Sequence, residues 1–151
     1  VLVAGALALA FSGSKVESAV REAEKAPASE QKAKVEAAKK LVDALKSPAE
    51  QAFYFGRLEE AQDDPGAAAF RYREAAQGGN SDGLSRLISL LEHPKCRVRV
   101  YVADSLGELK AKKARGKLEA LAEKGGPGEN DTPFIGCNSK AAAREALEKL
   151  R

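Results

Sequence analysis

An all-α chain of stacked helical hairpins is the fold class this sequence predicts, and three observations predict it. Apolar residues recur at three-and-four spacing through most of the chain. Runs that favour strands are nearly absent, and the best of them, Val98 to Val102, fits the helical spacing of its neighbours. The third observation is self-similarity. Tyr101, Leu106 and Leu109 return as Ala142, Leu147 and Leu150 at a spacing of 41, and Leu87 and Leu90 return as Leu118 and Leu121 at a spacing of 31. One helical hairpin cannot bury its apolar face alone. Stacked hairpins can, and they present long surfaces to partners.

The bulk numbers agree with a folded chain. At 151 residues it is one or two small domains, and 44% apolar with 31% charged residues excludes a disordered polyelectrolyte. Ala and Leu dominate the apolar positions, and Met and Trp are absent. Small Ala side chains let helices approach closely. A formal charge of +3 does not by itself imply nucleic acid.

The elements follow in order. Residues 1–11 are continuously apolar and uncharged, shorter than the roughly 20 residues a bilayer span needs. With no Met anywhere in the chain, this run is expected to belong to a longer product. It reads as the remnant of a signal peptide, with Ala8-Leu9-Ala10 as a small-residue cleavage site, or as part of a transmembrane anchor. The alternative is a buried helix or strand. Ser12-Gly13-Ser14 then breaks the run, and Ser14 caps a helix over Lys15 to Ala26 that Pro27 ends. Ser29 caps a second helix through Lys46, with Val35, Ala38, Leu41, Val42 and Leu45 as its stripe. Glu and Lys fill the other face, so residues 12–48 are expected to be a charged helical spacer.

Ser47-Pro48 opens the next helix, Asp63-Asp64-Pro65-Gly66 turns the chain, and a further helix runs from Ala67 to Gln77. Gly56, Ala68, Tyr72 and Ala75 stand at small-and-aromatic spacing across this hairpin. It resembles a tetratricopeptide (TPR) repeat over residues 52–77, within a segment 49–80 closed by Gly78-Gly79-Asn80.

From Ser81 the pattern changes. Leu84, Leu87, Ile88, Leu90 and Leu91 make the apolar face of a first helix, and residues 97–109 make a second. Val98, Arg99, Val102, Ala103, Leu106, Gly107 and Leu109 occupy the V-R-x-x-A-A-x-A-L-G-x-L positions of a HEAT repeat, which residues 81–151 resemble over two units. The first helices are 31 apart and the second helices 41 apart, so the second unit holds ten extra residues, placed in an exposed irregular loop over 125–138. The resemblances imply an α-solenoid of HEAT and TPR type. They also imply that Arg99 makes structural contacts between units.

Candidate sites are few. Cys96 and Cys137 occupy the same place in the two units. In an exported chain they are expected to bridge, although free buried thiols remain the alternative. A bridge closing the 40 intervening residues stabilises by roughly 3–4 kcal/mol in the chain-entropy model. Two cysteines without nearby His or acidic ligands cannot complete a zinc shell, so no metal is expected. His93, the one histidine, stands in a turn without triad or metal partners and is read as a surface or capping residue. Glu59, Glu60, Asp63 and Asp64 cluster at a helix end, a solvated place better suited to termination than to acid–base chemistry. Gly125-Gly126-Pro127-Gly128 lacks the Lys-Ser/Thr and preceding strand of a phosphate loop.

The basic run is the main functional hint. Residues 95–117 hold eight basic residues against Asp104 and Glu108, a local charge of +6. Lys110, Lys112, Lys113, Arg115 and Lys117 lie between two predicted helices and could meet an acidic partner, a phosphate or an anionic surface. No aromatics are interleaved to stack bases, which disfavours single-stranded nucleic acid. Phe134 and Ile135 on the inserted loop are apolar contact candidates.

The expectation is a non-catalytic scaffold that binds another protein, with no cofactor, periplasmic or otherwise extracytoplasmic, secreted or anchored to a bacterial inner membrane. Two rivals differ in class. One is the external segment of a membrane-anchored receptor such as a serine/threonine protein kinase. The other is nucleic-acid or anionic-surface binding through the basic turn. An enzymatic reading, by resemblance of some HEAT-like repeats to phycobilin lyases, needs an aromatic-lined groove that this sequence does not supply.

Overall fold

Residues 3–130 and 136–151 are described by a computed structural model, with side chains from Gly13 onward. Among the described residues the chain forms eight α-helices, two short 3-10 turns and no β-strand. It divides into two compact units, residues 1–80 and 81–151.

The first unit contains α1 (Val3–Lys25), α2 (Ala28–Asp43), α3 (Pro48–Ala61) and α4 (Pro65–Gln77). The expected break at Ser12-Gly13-Ser14 is absent, and α1 runs through it. A helix already propagating gains one hydrogen bond per added residue, so a local cap signal does not stop it. Pro27 ends α1 and then serves as the N-cap position of α2 in an extended conformation. The N-cap of α2 is therefore not Ser29. At its other end α2 stops at Asp43, three residues short of the expected Lys46.

Most of the apolar stripe of residues 12–48, expected as a spacer, is covered, although Leu41 is exposed and Leu45 is half-buried. Val16, Val20 and Ala23 of α1 pack with Val35, Ala38 and Val42 of α2 and with Leu58 of α3 in one buried cluster. The positions follow the helix-face recurrence, i, i+4, i+7 in α1 and i, i+3, i+7 in α2. Each fully buried valine contributes about 2 kcal/mol against remaining in water.

Local signals position α3 and α4. The Ser47 hydroxyl accepts from the Glu50 N–H at 3.3 Å, and the Asp64 carboxylate accepts from the Ala67 N–H at 2.9 Å. Pro follows the cap in both helices, at the first helical position. Between them the chain reverses at Asp63, whose φ of 59° closes α3 with hydrogen bonds from Asp63 N to Glu60 O and from Asp64 N to Glu59 O. The helices meet at Gly56, where an added Cβ would lie 2.5 Å from Cε1 of the buried Tyr72 ring.

The second unit contains α5 (Ser81–Ser89), α6 (Cys96–Glu108), α7 (Arg115–Lys124) and α8 (Ser139–Lys149). A 3-10 turn over Leu90–Glu92 tightens the end of α5, and another over Lys112–Ala114 leads into α7. Leu87, Leu90 and Leu91, Val98, Val102, Ala103 and Leu106 of α6, Leu118 and Leu121 of α7, and Ala142, Ala143 and Ala146 of α8 are buried. Leu84 and Ile88, expected on the same core face, are half-buried. Helix α8 packs against both α6 and α7. Asn138 caps α8 by accepting from the Ala141 N–H at 2.8 Å.

Among the described residues, no helix is long and apolar enough to cross a membrane.

Candidate functional site

The second unit is organised around a buried arginine. Arg99 near the start of α6 is 1% exposed, and its donors reach three segments. Nε donates to the Ser139 hydroxyl at 3.1 Å, and Nη1 donates to the carbonyls of His93 at 2.8 Å and Pro94 at 3.0 Å. Nη2 donates to the Pro127 carbonyl at 2.6 Å and to the Glu129 carboxylate at 3.2 Å. Glu129 in turn accepts from the backbone N–H of Ser139 at 2.9 Å and from its hydroxyl. Burial works to raise the Glu129 carboxyl, but these bonds from Ser139 and Arg99 outweigh it and hold the group below the usual carboxylate range. The planar fork of a guanidinium suits such multi-point satisfaction, and a lysine could not replace it. Arg99 is thus a structural residue, not part of an exposed basic patch.

The same corner holds the cysteines. Cys96 and Cys137 have their sulfurs at disulfide-bonding distance, with Cα atoms 6.1 Å apart. Stacked helices sit about 8–10 Å apart, farther than the roughly 7 Å that bridged Cα atoms allow. The inserted segment resolves this: Cys137 precedes α8 and is drawn in by an isolated antiparallel bridge to Asn130, whose N–H donates to the Cys137 carbonyl at 2.9 Å. The start of α6 is therefore joined to the start of α8 by the cysteine pair and by Arg99.

The basic turn is exposed but not uniform. Lys110, Lys112 and Lys113 are exposed. Arg115 donates through Nη2 to the Leu150 carbonyl at 3.0 Å, so part of its function is to tie α7 to the end of α8. Lys117 pairs with Glu92 at 2.8 Å in a solvent-exposed ion pair. Phe134 and Ile135 lie outside the described residues. His93 accepts the Lys95 N–H through Nδ1 at 3.1 Å, a turn-stabilising arrangement. Of the four clustered carboxylates, Asp64 is an N-cap and Glu60 accepts from the Tyr72 hydroxyl.

A second buried arginine was not singled out from the sequence. Arg57 on α3 is 6% exposed and donates to both oxygens of Glu24, at 2.8 Å and 2.7 Å, and to Glu17 at 2.6 Å. Those hydrogen bonds raise its pKa beyond its ordinary value against the opposing effect of burial. Burial also works to raise Glu17, but bonds from Arg57 and Arg21 hold it below the usual range. The partners stand 33 and 40 positions away, beyond any periodicity signal. Among the described residues, no group of three or more His, Cys, Asp or Glu is placed to hold a metal ion.

An open cavity of about 270 Å³ lies beside this corner. Lys117, Ala120, Leu121 and Lys124 line it from α7, facing Leu91, Glu92 and Arg99, with Gly125, Gly126 and Pro127 at one end. At Gly126 an added Cβ would lie 2.6 Å from Arg99 Cζ, so the chain approaches the guanidinium as closely as only glycine permits.

Comparison with family models, curated proteins and solved structures gives no match for this chain.

Proposed function

We propose that the chain is a non-catalytic helical-repeat scaffold, of HEAT type over residues 81–151 with a TPR-like hairpin before it, and that it binds another protein on the extracytoplasmic side of a bacterial membrane. The observation that carries the reading is the build of the second unit. A buried arginine network and a cysteine pair hold α6, α8 and the intervening loop together, while the basic turn beside them stays in water. Rigid support under an exposed charged surface is what a docking module needs, because a preorganised surface loses little freedom on binding. The sulfur pairing favours an oxidising compartment, since reducing compartments keep thiols apart.

Site-specific photo-crosslinking in the native cells tests this reading. A photoreactive residue at Lys112 should yield a discrete crosslink to an envelope protein. In the same intact cells, Cys96 and Cys137 should resist alkylation until a reductant is added. Crosslinks to nucleic acid, or alkylation of both thiols without reductant, would sink the proposal.

A further inference from the structure

We infer that the cavity beside Arg99 is a docking slot for an acidic peptide segment that carries one apolar side chain. The inference rests on the scaffold reading and names the chemistry of its partner. Three features of the slot lead to it.

The first is the α7 wall. Lys117, Ala120, Leu121 and Lys124 stand at i, i+3, i+4 and i+7, so they form one continuous stripe of the helix. The middle of that stripe is apolar and each end carries an ammonium. The second is the rest of the lining, where Leu91 and Pro127 add apolar surface. At about 270 Å³ the space is large enough for one apolar side chain, an aromatic ring included.

The third is charge. Three cations, Arg99, Lys117 and Lys124, line the slot against Glu92 alone. Arg99 is occupied by its own network and serves as a fixed wall. Lys117 is held by Glu92 only in an exposed pair, with side chains 42% and 71% accessible. Such pairs are weak, so a ligand carboxylate can replace Glu92 at little cost. Lys124 is exposed and has no ion-pair partner among the described residues. Upstream, Lys110, Lys112 and Lys113 extend the positive field and would steer an acidic segment toward the slot.

A larger groove selects less. The space of about 570 Å³ lined by α1 and α2 carries Glu17, Glu22 and Glu30 with Arg21, Lys25 and Lys34. Equal numbers of the two signs give no preference for a charged partner.

The test uses the full chain, oxidised, and a fluorescein-labelled peptide with one Phe flanked on each side by Asp-Glu, read by fluorescence anisotropy. A matching peptide with Lys in place of every acid is the control. The acidic peptide should bind saturably and the basic one should not. Ala120→Trp intrudes on the slot from an exposed position, and Lys124→Glu reverses the charge at one end of the α7 stripe. Each should weaken binding by about tenfold or more, corresponding to about 1.4 kcal/mol. Circular dichroism confirms that both variants fold.

Binding that survives Ala120→Trp but is lost in the Lys112→Glu, Lys113→Glu double variant overturns the slot, because the peptide then rides on the basic turn, and it leaves the scaffold reading standing. Equal binding of acidic and basic peptides, or no saturable binding, also overturns the slot. Displacement of the peptide by a single-stranded oligonucleotide in the Ala120→Trp background would overturn the slot and the scaffold reading together.

Discussion

Arg99 Nε donates to Ser139 Oγ at 3.1 Å across 40 positions of sequence, and both residues are fully buried. This bond sets α8 against α6. The same two residues hold Glu129, which accepts from both Arg99 and Ser139. Removing the guanidinium would leave Glu129 and three backbone carbonyls without their charged donor. Arg99→Met is therefore expected to destabilise the chain by about 3–5 kcal/mol. Arg99→Lys should recover only a small part of that loss, because one ammonium cannot reach acceptors in three segments. Urea unfolding followed by circular dichroism checks both, and a lysine variant as stable as wild type would refute the role of the fork.

How much of this was legible follows from the range of each signal. Ser47-Pro48 announced α3 because caps act within three residues, whereas Asp64-Pro65, read as part of a turn before a helix at Ala67, is the cap and first residue of α4. The stripe of α6 was readable from Val98, Val102 and Leu106 for the same local reason. The all-helical class follows from those periodicities. The partners of Arg99 and Arg57 were not readable. Apart from the His93 and Pro94 carbonyls, they join residues 28 to 40 positions apart, and no spacing rule connects them. The uninterrupted course of α1 was hidden by a Ser-Gly-Ser sequence that resembles a helix start. The slot was hidden because it needs the Gly-Gly-Pro segment to turn back toward Arg99.

The cysteine pair predicts a redox-dependent stability. Bridging residues 41 apart in sequence stabilises by roughly 4 kcal/mol in the chain-entropy model. Thermal unfolding with and without dithiothreitol should show a lower midpoint in the reduced protein, and Cys96→Ser with Cys137→Ser should reproduce it. The double variant should lose its sensitivity to reductant. An unchanged midpoint on reduction would mean that the Arg99 network alone holds the corner.

Acid should weaken both arginine clusters. Glu17 and Glu129 are held below the usual carboxylate range in the folded chain, so over the interval between their folded and unfolded pKa values the unfolded state binds more protons. Stability then rises with pH through that interval, is fully present above the unfolded value near 4.5, and is lost as pH falls through the folded value. Glu129→Gln should lower stability at neutral pH and flatten this acid limb. Urea midpoints measured from pH 7 down to about pH 3 test it. An acid limb of the same slope in the variant would exclude Glu129 as a contributor.

Gly56 makes a prediction about the first unit. A methyl group at this position meets the Tyr72 ring at 2.5 Å, and Tyr72 is itself fixed by burial and by its hydroxyl bond to Glu60. The ring cannot yield without moving α4. Gly56→Ala should therefore destabilise by about 1–3 kcal/mol, although alanine is the better helix former. Pairing it with Tyr72→Leu should cost less than the sum of the two single changes. Strict additivity in that double-mutant cycle would mean that the two residues do not collide.

Lys110 offers the opposite sign. It closes α6 with a φ of 50°, and the bonds from Lys110 N to Gly107 O and from Ala111 N to Leu106 O complete the same helix-ending motif that uses Gly79 after α4. A left-handed conformation costs an ordinary L-residue about 1 kcal/mol or more, whereas glycine adopts it freely. Lys110 is exposed, so its side chain contributes no burial to offset that cost. Glycine also has more freedom to lose from the unfolded chain, which reduces the gain. The balance favours Lys110→Gly by about 0.5–1 kcal/mol, a rise in midpoint of roughly 1–4 °C at this chain length. The same variant removes one cation from the basic turn while leaving the slot's own lysines in place. Weaker peptide binding at low salt, with little change at high salt, would assign Lys110 to steering. A drop in thermal midpoint would show that the lysine stem packs in a way that outweighs its backbone strain.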